Sequence, residues 1–143
     1  MNTITRNLVK AAAGAAALTM AFAAPASATV RPLDSGGGCA NSSVQSGYQY
    51  RVCVSTSGGK VHTDAYQLRL GTRPSGCTVR VWTEDLDATD GWVGDDYLDY
   101  PCTTSHPTGP DITKRSGWEY RTEVIVYTAN TRLFSSVSPI QHT

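Results

Sequence analysis

The run CTVRVWTEDLDATDGWVGDDYLDYPC, residues 77–102, decides how the rest of the chain is read. Folded back on itself, it sets Cys77 opposite Cys102, Val79 opposite Tyr100 and Val81 opposite Leu98 on one face. The other face pairs Arg80 with Asp99 and Trp82 with Tyr97. Side chains alternate across a strand, so a single register that satisfies both faces is evidence for an antiparallel hairpin. The arms leave a loop, roughly Asp85 to Gly94, that is acidic and carries Trp92 between two glycines.

Upstream lie two more alternating runs, GYQYRVCVST (47–56) and VHTDAYQLRL (61–70), separated by Ser57-Gly58-Gly59-Lys60. A two-residue Gly-Gly turn would set Tyr66, Leu68 and Leu70 against the polar face of the first run. A three-residue loop, Gly58 to Lys60, pairs Val52 with Tyr66, Tyr50 with Leu68 and Tyr48 with Leu70, and the apolar match selects it. Downstream, TTSHPTGPDITKRSG (103–117) has two prolines, two glycines and no alternation, and reads as a long connection crossing between sheets. The runs WEYRTEVIVYT (118–128) and TRLFSSVS (131–138) follow as a last hairpin around Ala129-Asn130, whose register the pattern leaves open. No segment after the first 28 residues has helical periodicity. Six or seven short strands with regular turn signals predict an all-β fold, a small antiparallel sandwich or open barrel.

The first 28 residues have a different character. Arg6 and Lys10 form a basic start, Ala11 to Ala24 a small-residue apolar stretch, and Ala26-Ser27-Ala28 an A-x-A cleavage site. This is the pattern of a bacterial-type secretory signal peptide, with cleavage expected after Ala28. Residues 29–38 then form a flexible lead and 39–143 a single domain. No second apolar stretch has spanning length, so no transmembrane segment is expected. Four cysteines in an exported chain imply two disulfides. Cys77 and Cys102 share the inward face of the hairpin. Cys53 sits on the other face of its strand, beside Gln49, Arg51 and Ser55, within reach of Cys39. The expected pairs are therefore Cys39–Cys53 and Cys77–Cys102.

Without the signal the chain holds ten basic and twelve acidic residues. Seven of those acids, Glu84, Asp85, Asp87, Asp90, Asp95, Asp96 and Asp99, share one window with no Lys or Arg. An acidic domain without a basic stripe is a poor partner for nucleic acid. The window suits a cation, which makes Asp85, Asp87, Asp90, Asp95 and Asp96 candidate Ca²⁺ ligands, since calcium takes six to eight oxygens in flexible geometry. The segment Val81-Trp82 … Asp85-Leu86-Asp87 … Asp95-Asp96-Tyr97-Leu98 resembles the calcium loops of phospholipid-binding domains of the synaptotagmin and protein kinase C type. Thr63-Asp64-Ala65-Tyr66 is similar to a further ligand-bearing segment of that family. The resemblance covers about a quarter of the domain and implies Asp85, Asp87 and Asp96 as ligands, with Asp64 a further candidate. It departs from the family in lacking the strands between those segments, and Asp99 stands where a glycine is usual.

The aromatic residues give a second candidate surface. Trp82 and Tyr97 pair beside Arg80 and Asp99, and Trp92 lies in the loop. Flat aromatics flanked by Arg and carboxylates suit sugar rings or a protein contact. Catalytic signatures are absent: no G-x-S-x-G or H-E-x-x-H occurs, and His62, His106 and His142 fall in a strand, a loop and the C-terminal tail. The leading reading is a secreted, monomeric, non-catalytic binding module for an extracellular protein or glycan. The alternative is a proteinaceous inhibitor of a secreted hydrolase, since size and cysteine economy resemble the small two-disulfide amylase inhibitors, although their Trp-Arg-Tyr triplet is missing. An enzyme stands third.

Overall fold

The computed structural model describes residues 35–143 except Ala88 and Asn130, with Ser35 and Asp87 described through their backbone alone. The expected signal peptide and residues 29–34 lie outside the described residues. Ten strands follow one another: β1 (Ser35–Gly36), β2 (Gly38–Asn41), β3 (Gln49–Ser57), β4 (Lys60–Arg69), β5 (Thr78–Asp87), β6 (Gly91–Pro101), β7 (Ile112–Thr113), β8 (Glu119–Thr128), β9 (Thr131–Val137) and β10 (Gln141–His142). Six are seven residues or longer, in line with the six or seven predicted. They form two packed antiparallel sheets. One runs β1-β10-β8-β5-β6, with β9 also paired to β8, and the other runs β2-β3-β4-β7.

The reason is visible in the alternation. Along β8 the residues Tyr120, Thr122, Val124 and Val126 point inward and are buried, while their neighbours are half-buried on the outer face. Val79 and Val81 of β5, Tyr50 and Val52 of β3 and Ala65 of β4 meet Val124 and Val126 between the sheets, with Phe134 closing the cluster, while Tyr120 packs with Val54 and Val61 in a second one. Burying each such valine contributes about 1.5–3 kcal/mol. Buried threonines are paired across the layers: Thr63 and Thr83 hydroxyls lie 2.9 Å apart, and Thr122 Oγ1 donates to the Cys53 carbonyl at 2.6 Å.

Both predicted disulfides are present, Cys39–Cys53 and Cys77–Cys102, and they fit an oxidising extracellular setting. Among the described residues no helix is long and apolar enough to cross a membrane. The 77–102 hairpin has the predicted register, Val79 with Tyr100, Arg80 with Asp99, Val81 with Leu98 and Trp82 with Tyr97. The connection 103–117 crosses between sheets as read. Gln67 and Ala65 donate backbone N–H groups to the carbonyls of Ser105 and Pro107, so this segment covers the edge of β4 before β7 pairs there.

Three expectations need correction. The β3–β4 connection is the two-residue turn Gly58-Gly59, with Ser57 opposite Lys60 and Val52 opposite Ala65. Both glycines have positive φ, 55° and 75°, the type I′ geometry that matches strand twist, and this outweighs the apolar match. Tyr66 and Leu68 consequently face outward at 40% and 42% exposure, and Tyr66 stacks on His106 instead of entering the core. The acidic loop is much shorter than Asp85–Gly94. After a bulge at Thr83/Glu84 the ladder continues through Asp85–Val93, Leu86–Trp92 and Asp87–Gly91, leaving 88–90 as the tip. Finally, part of the expected lead is structured, since Ser35 and Gly36 pair with His142 and Gln141.

Candidate binding face

The candidate site is the outer face of the hairpin β5–β6 and its neighbour β8. Strand β5 is central and presents Arg80, Trp82, Glu84 and Leu86 outward, because Val79, Val81, Thr83 and Asp85 are turned to the core side. Register then fixes the neighbours. Arg80 lies between Asp99 and Ile125, Trp82 between Tyr97 and Glu123, Glu84 between Gly94 and Arg121, and Leu86 beside Trp92.

Arg80 organises one half of this face. Its guanidinium makes two bonds of 2.7 Å to the Asp99 carboxylate and a third, 3.0 Å, to the Tyr127 hydroxyl. Tyr127 in turn donates to Asp99 at 3.0 Å. The same guanidinium lies 3.7 Å from the centre of the Tyr97 ring, and Tyr97 is 4.4 Å from Trp82. The Arg80 hydrogen bonds hold the Asp99 carboxyl below the usual carboxylate range and push Arg80 up. Burial, followed by the bond to Asp99, raises Tyr127.

Glu84 organises the other half. It is 7% exposed, and its carboxylate accepts from Arg121 Nε at 2.6 Å. Burial nevertheless raises its pKa against the effect of the Arg121 pair. Arg121 also lies over Trp92, 4.3 Å from the ring centre. Gly94 is the empty position between the halves: a Cβ there would stand 2.5 Å from the six-membered ring of Trp82. The Trp82 ring therefore covers the backbone of β6, as aromatics do over strand glycines. The face holds four aromatic rings, two guanidiniums and their carboxylates, each fixed by a neighbour.

Of the predicted residues, Arg80, Trp82, Trp92 and Tyr97 all come together here. Trp92 is half-buried under Arg121, whereas Tyr97 is 40% exposed. Tyr127 and Arg121 were missed because they arrive on β8, whose pairing with β5 spans about forty residues and leaves no local signal.

The acidic residues are divided. Asp85 faces the core side, 7% exposed, with Arg115 Nη1 at 3.9 Å. Asp96 lies opposite Thr83 and accepts its neighbour Tyr97's N–H at 2.8 Å, and Asp95 occupies the bulge. Asp90 is exposed in the turn, and Asp87 is paired through its backbone with Gly91. Asp64 belongs to the other sheet, 3.2 Å from His106 Nε2. Among the described residues no three His, Cys, Asp or Glu side chains converge as a metal ion would require. What the fold defines is an all-β, two-disulfide sandwich with an ordered aromatic and charged outer face. A scan of protein-family models, a search of curated proteins and a search of solved structures each return no match.

Proposed function

We propose that the protein is a secreted binding domain that holds an extracellular glycan on the outer face of β5, β6 and β8. The observation that carries this reading is the fixed platform of Trp82, Tyr97, Trp92 and Tyr127, stapled by Arg80 and Arg121. Clustered aromatic rings on a sheet surface offer C–H-binding faces and edges to sugar rings, and adjacent guanidinium and carboxylate groups hydrogen-bond hydroxyls. A pre-ordered face also loses little side-chain entropy on binding. The test is depletion of the protein from solution by a panel of insoluble polysaccharides, for wild type and for Tyr97→Ala and Trp92→Ala. Retention by at least one polysaccharide, weakened in both variants, supports the reading. No retention, or stoichiometric capture of a secreted hydrolase through the same residues, overturns it in favour of nothing or of the inhibitor.

A further inference from the structure

The opposite sheet carries a second arrangement, independent of the binding face. Ser57 ends β3 and His62 is the third residue of β4. The Gly58-Gly59 turn sets Ser55 opposite His62, which leaves Ser57 diagonal to it on the same outer surface. Ser57 Oγ lies 2.8 Å from His62 Nε2. On the far side of the ring, His62 Nδ1 lies 2.7 Å from Asp111 Oδ1. Asp111 reaches this point because β7 begins at the next residue and pairs Ile112 with Val61. In the tautomer protonated at Nδ1, the ring donates to Asp111 and its Nε2 lone pair accepts from the serine hydroxyl. Once Nε2 has taken the proton, the Ser57 carbonyl at 3.3 Å is a second acceptor for it.

These distances are those of a nucleophile, a base and a group that orients the base. We propose that Ser57, His62 and Asp111 form an acyl-transfer site for carboxylic esters. Ser57 Oγ attacks the ester carbonyl carbon while His62 Nε2 takes the hydroxyl proton. The tetrahedral oxyanion collapses, the bond to the alcohol oxygen breaks, and His62 returns the proton to that oxygen. Water then attacks the acyl-serine carbon and gives a proton to His62. The acyl–Oγ bond breaks, His62 reprotonates Ser57, and a carboxylic acid leaves. The net change is addition of water across the ester bond, with no change of oxidation state.

The N–H of Gly58 follows directly on the nucleophile, and a Cβ built on Gly58 or Gly59 would meet nothing within 4 Å, so the side-chain side of the turn is open. The site is open: the side chains of His62 and Asp111 are 31% and 47% exposed. Water screens the imidazolium–carboxylate attraction at such exposure, which limits the reaction to esters with good leaving groups and excludes peptide bonds. Asp111 acts through His62 and is a positioning residue. Sequence reading missed the set because its members are brought together by a turn and by β7, with no motif spacing between them.

The test is incubation of the intact protein with a fluorophosphonate, read by mass and peptide mapping, together with hydrolysis of p-nitrophenyl acetate. One adduct on Ser57 is expected, absent from Ser57→Ala and from His62→Gln, with hydrolysis falling about a hundredfold or more in each. Asp111→Asn should lower kcat with little change in KM, and Asp111→Glu should restore part of it, which a purely structural role would not do. Circular dichroism confirms that each variant is folded. An unlabelled wild type, an adduct that persists in Ser57→Ala, or labelling of His62→Gln at the wild-type rate would each overturn the proposal. Loss of polysaccharide retention has no bearing on this outcome, because none of these residues belongs to the β5–β6–β8 face.

Discussion

Replacing Gly94 by alanine sets two effects of opposite sign against each other. In a strand, exchanging glycine for alanine ordinarily stabilises by about 0.5–1 kcal/mol, because the unfolded chain loses freedom. Here the added methyl would stand 2.5 and 2.6 Å from two carbons of the Trp82 ring, which must move away. Displacing the ring forfeits its contact with Tyr97, worth about 0.5–1.5 kcal/mol. It also loosens the Arg80 cation over the pair, worth about 0.5–1 kcal/mol at an exposed site. The losses exceed the gain, and Gly94→Ala should destabilise by about 0.5–1.5 kcal/mol. In a Trp82→Ala background the obstacle is gone, so the same substitution should stabilise. Urea unfolding of the four proteins of the double-mutant cycle measures this change of sign. If Gly94→Ala stabilises both backgrounds alike, the Trp82 ring does not lie on Gly94 and the ordered platform loses its base.

Other outcomes follow from the same contacts. Asp99 has a depressed pKa, so its stabilising contribution is present at neutral pH and is lost as pH falls from its unfolded value through its folded one. Asp99→Asn should therefore cost about 0.5–1 kcal/mol at pH 7, and the difference from wild type should shrink as pH falls through the carboxylate range in denaturant titrations. Replacing Cys77 and Cys102 together by alanine opens a loop of sequence separation 25 and should cost about 3 kcal/mol, while non-reducing mass analysis of wild type finds no free thiol. For calcium, no three acidic side chains converge among the described residues, so millimolar calcium should leave the melting temperature unchanged. A gain near 2.7 kcal/mol at a hundredfold excess over Kd would instead establish a cation site.

How much of this was legible depended on whether the information was local. The 77–102 hairpin was readable because two faces constrained one register, and the Cys77–Cys102 disulfide followed from it, while Cys39–Cys53 followed from the outward place of Cys53 on its own strand. The β3–β4 register was not, since the apolar match assumed Tyr66 and Leu68 belonged inside. In fact Tyr66 stacks on His106, 4.1 Å between ring centres, a partner supplied by a distant connection. The extent of the acidic loop was misjudged for a related reason: a bulge at Asp95 shifts pairing by one residue and lets the ladder run on to Gly91. Within the candidate face, the members on β5 and β6 were found together, whereas Tyr127 and Arg121 depended on β8 docking against β5.

The central claim is that ligand meets the outer face of β5, β6 and β8. Its most direct measurement is the three tryptophan indole N–H signals in a ¹⁵N-labelled sample, titrated with a soluble fragment of the retained polysaccharide. Trp82 and Trp92 lie on that face, while Trp118 packs against the separate cluster of Val54, Val61 and Tyr120. The account predicts that the Trp82 and Trp92 signals shift along a saturating curve, together with backbone amides of β5, β6 and β8, and that Trp118 stays in place. Shifts confined to Trp118 or to β3 and β4, or no shift at saturating ligand, would contradict it.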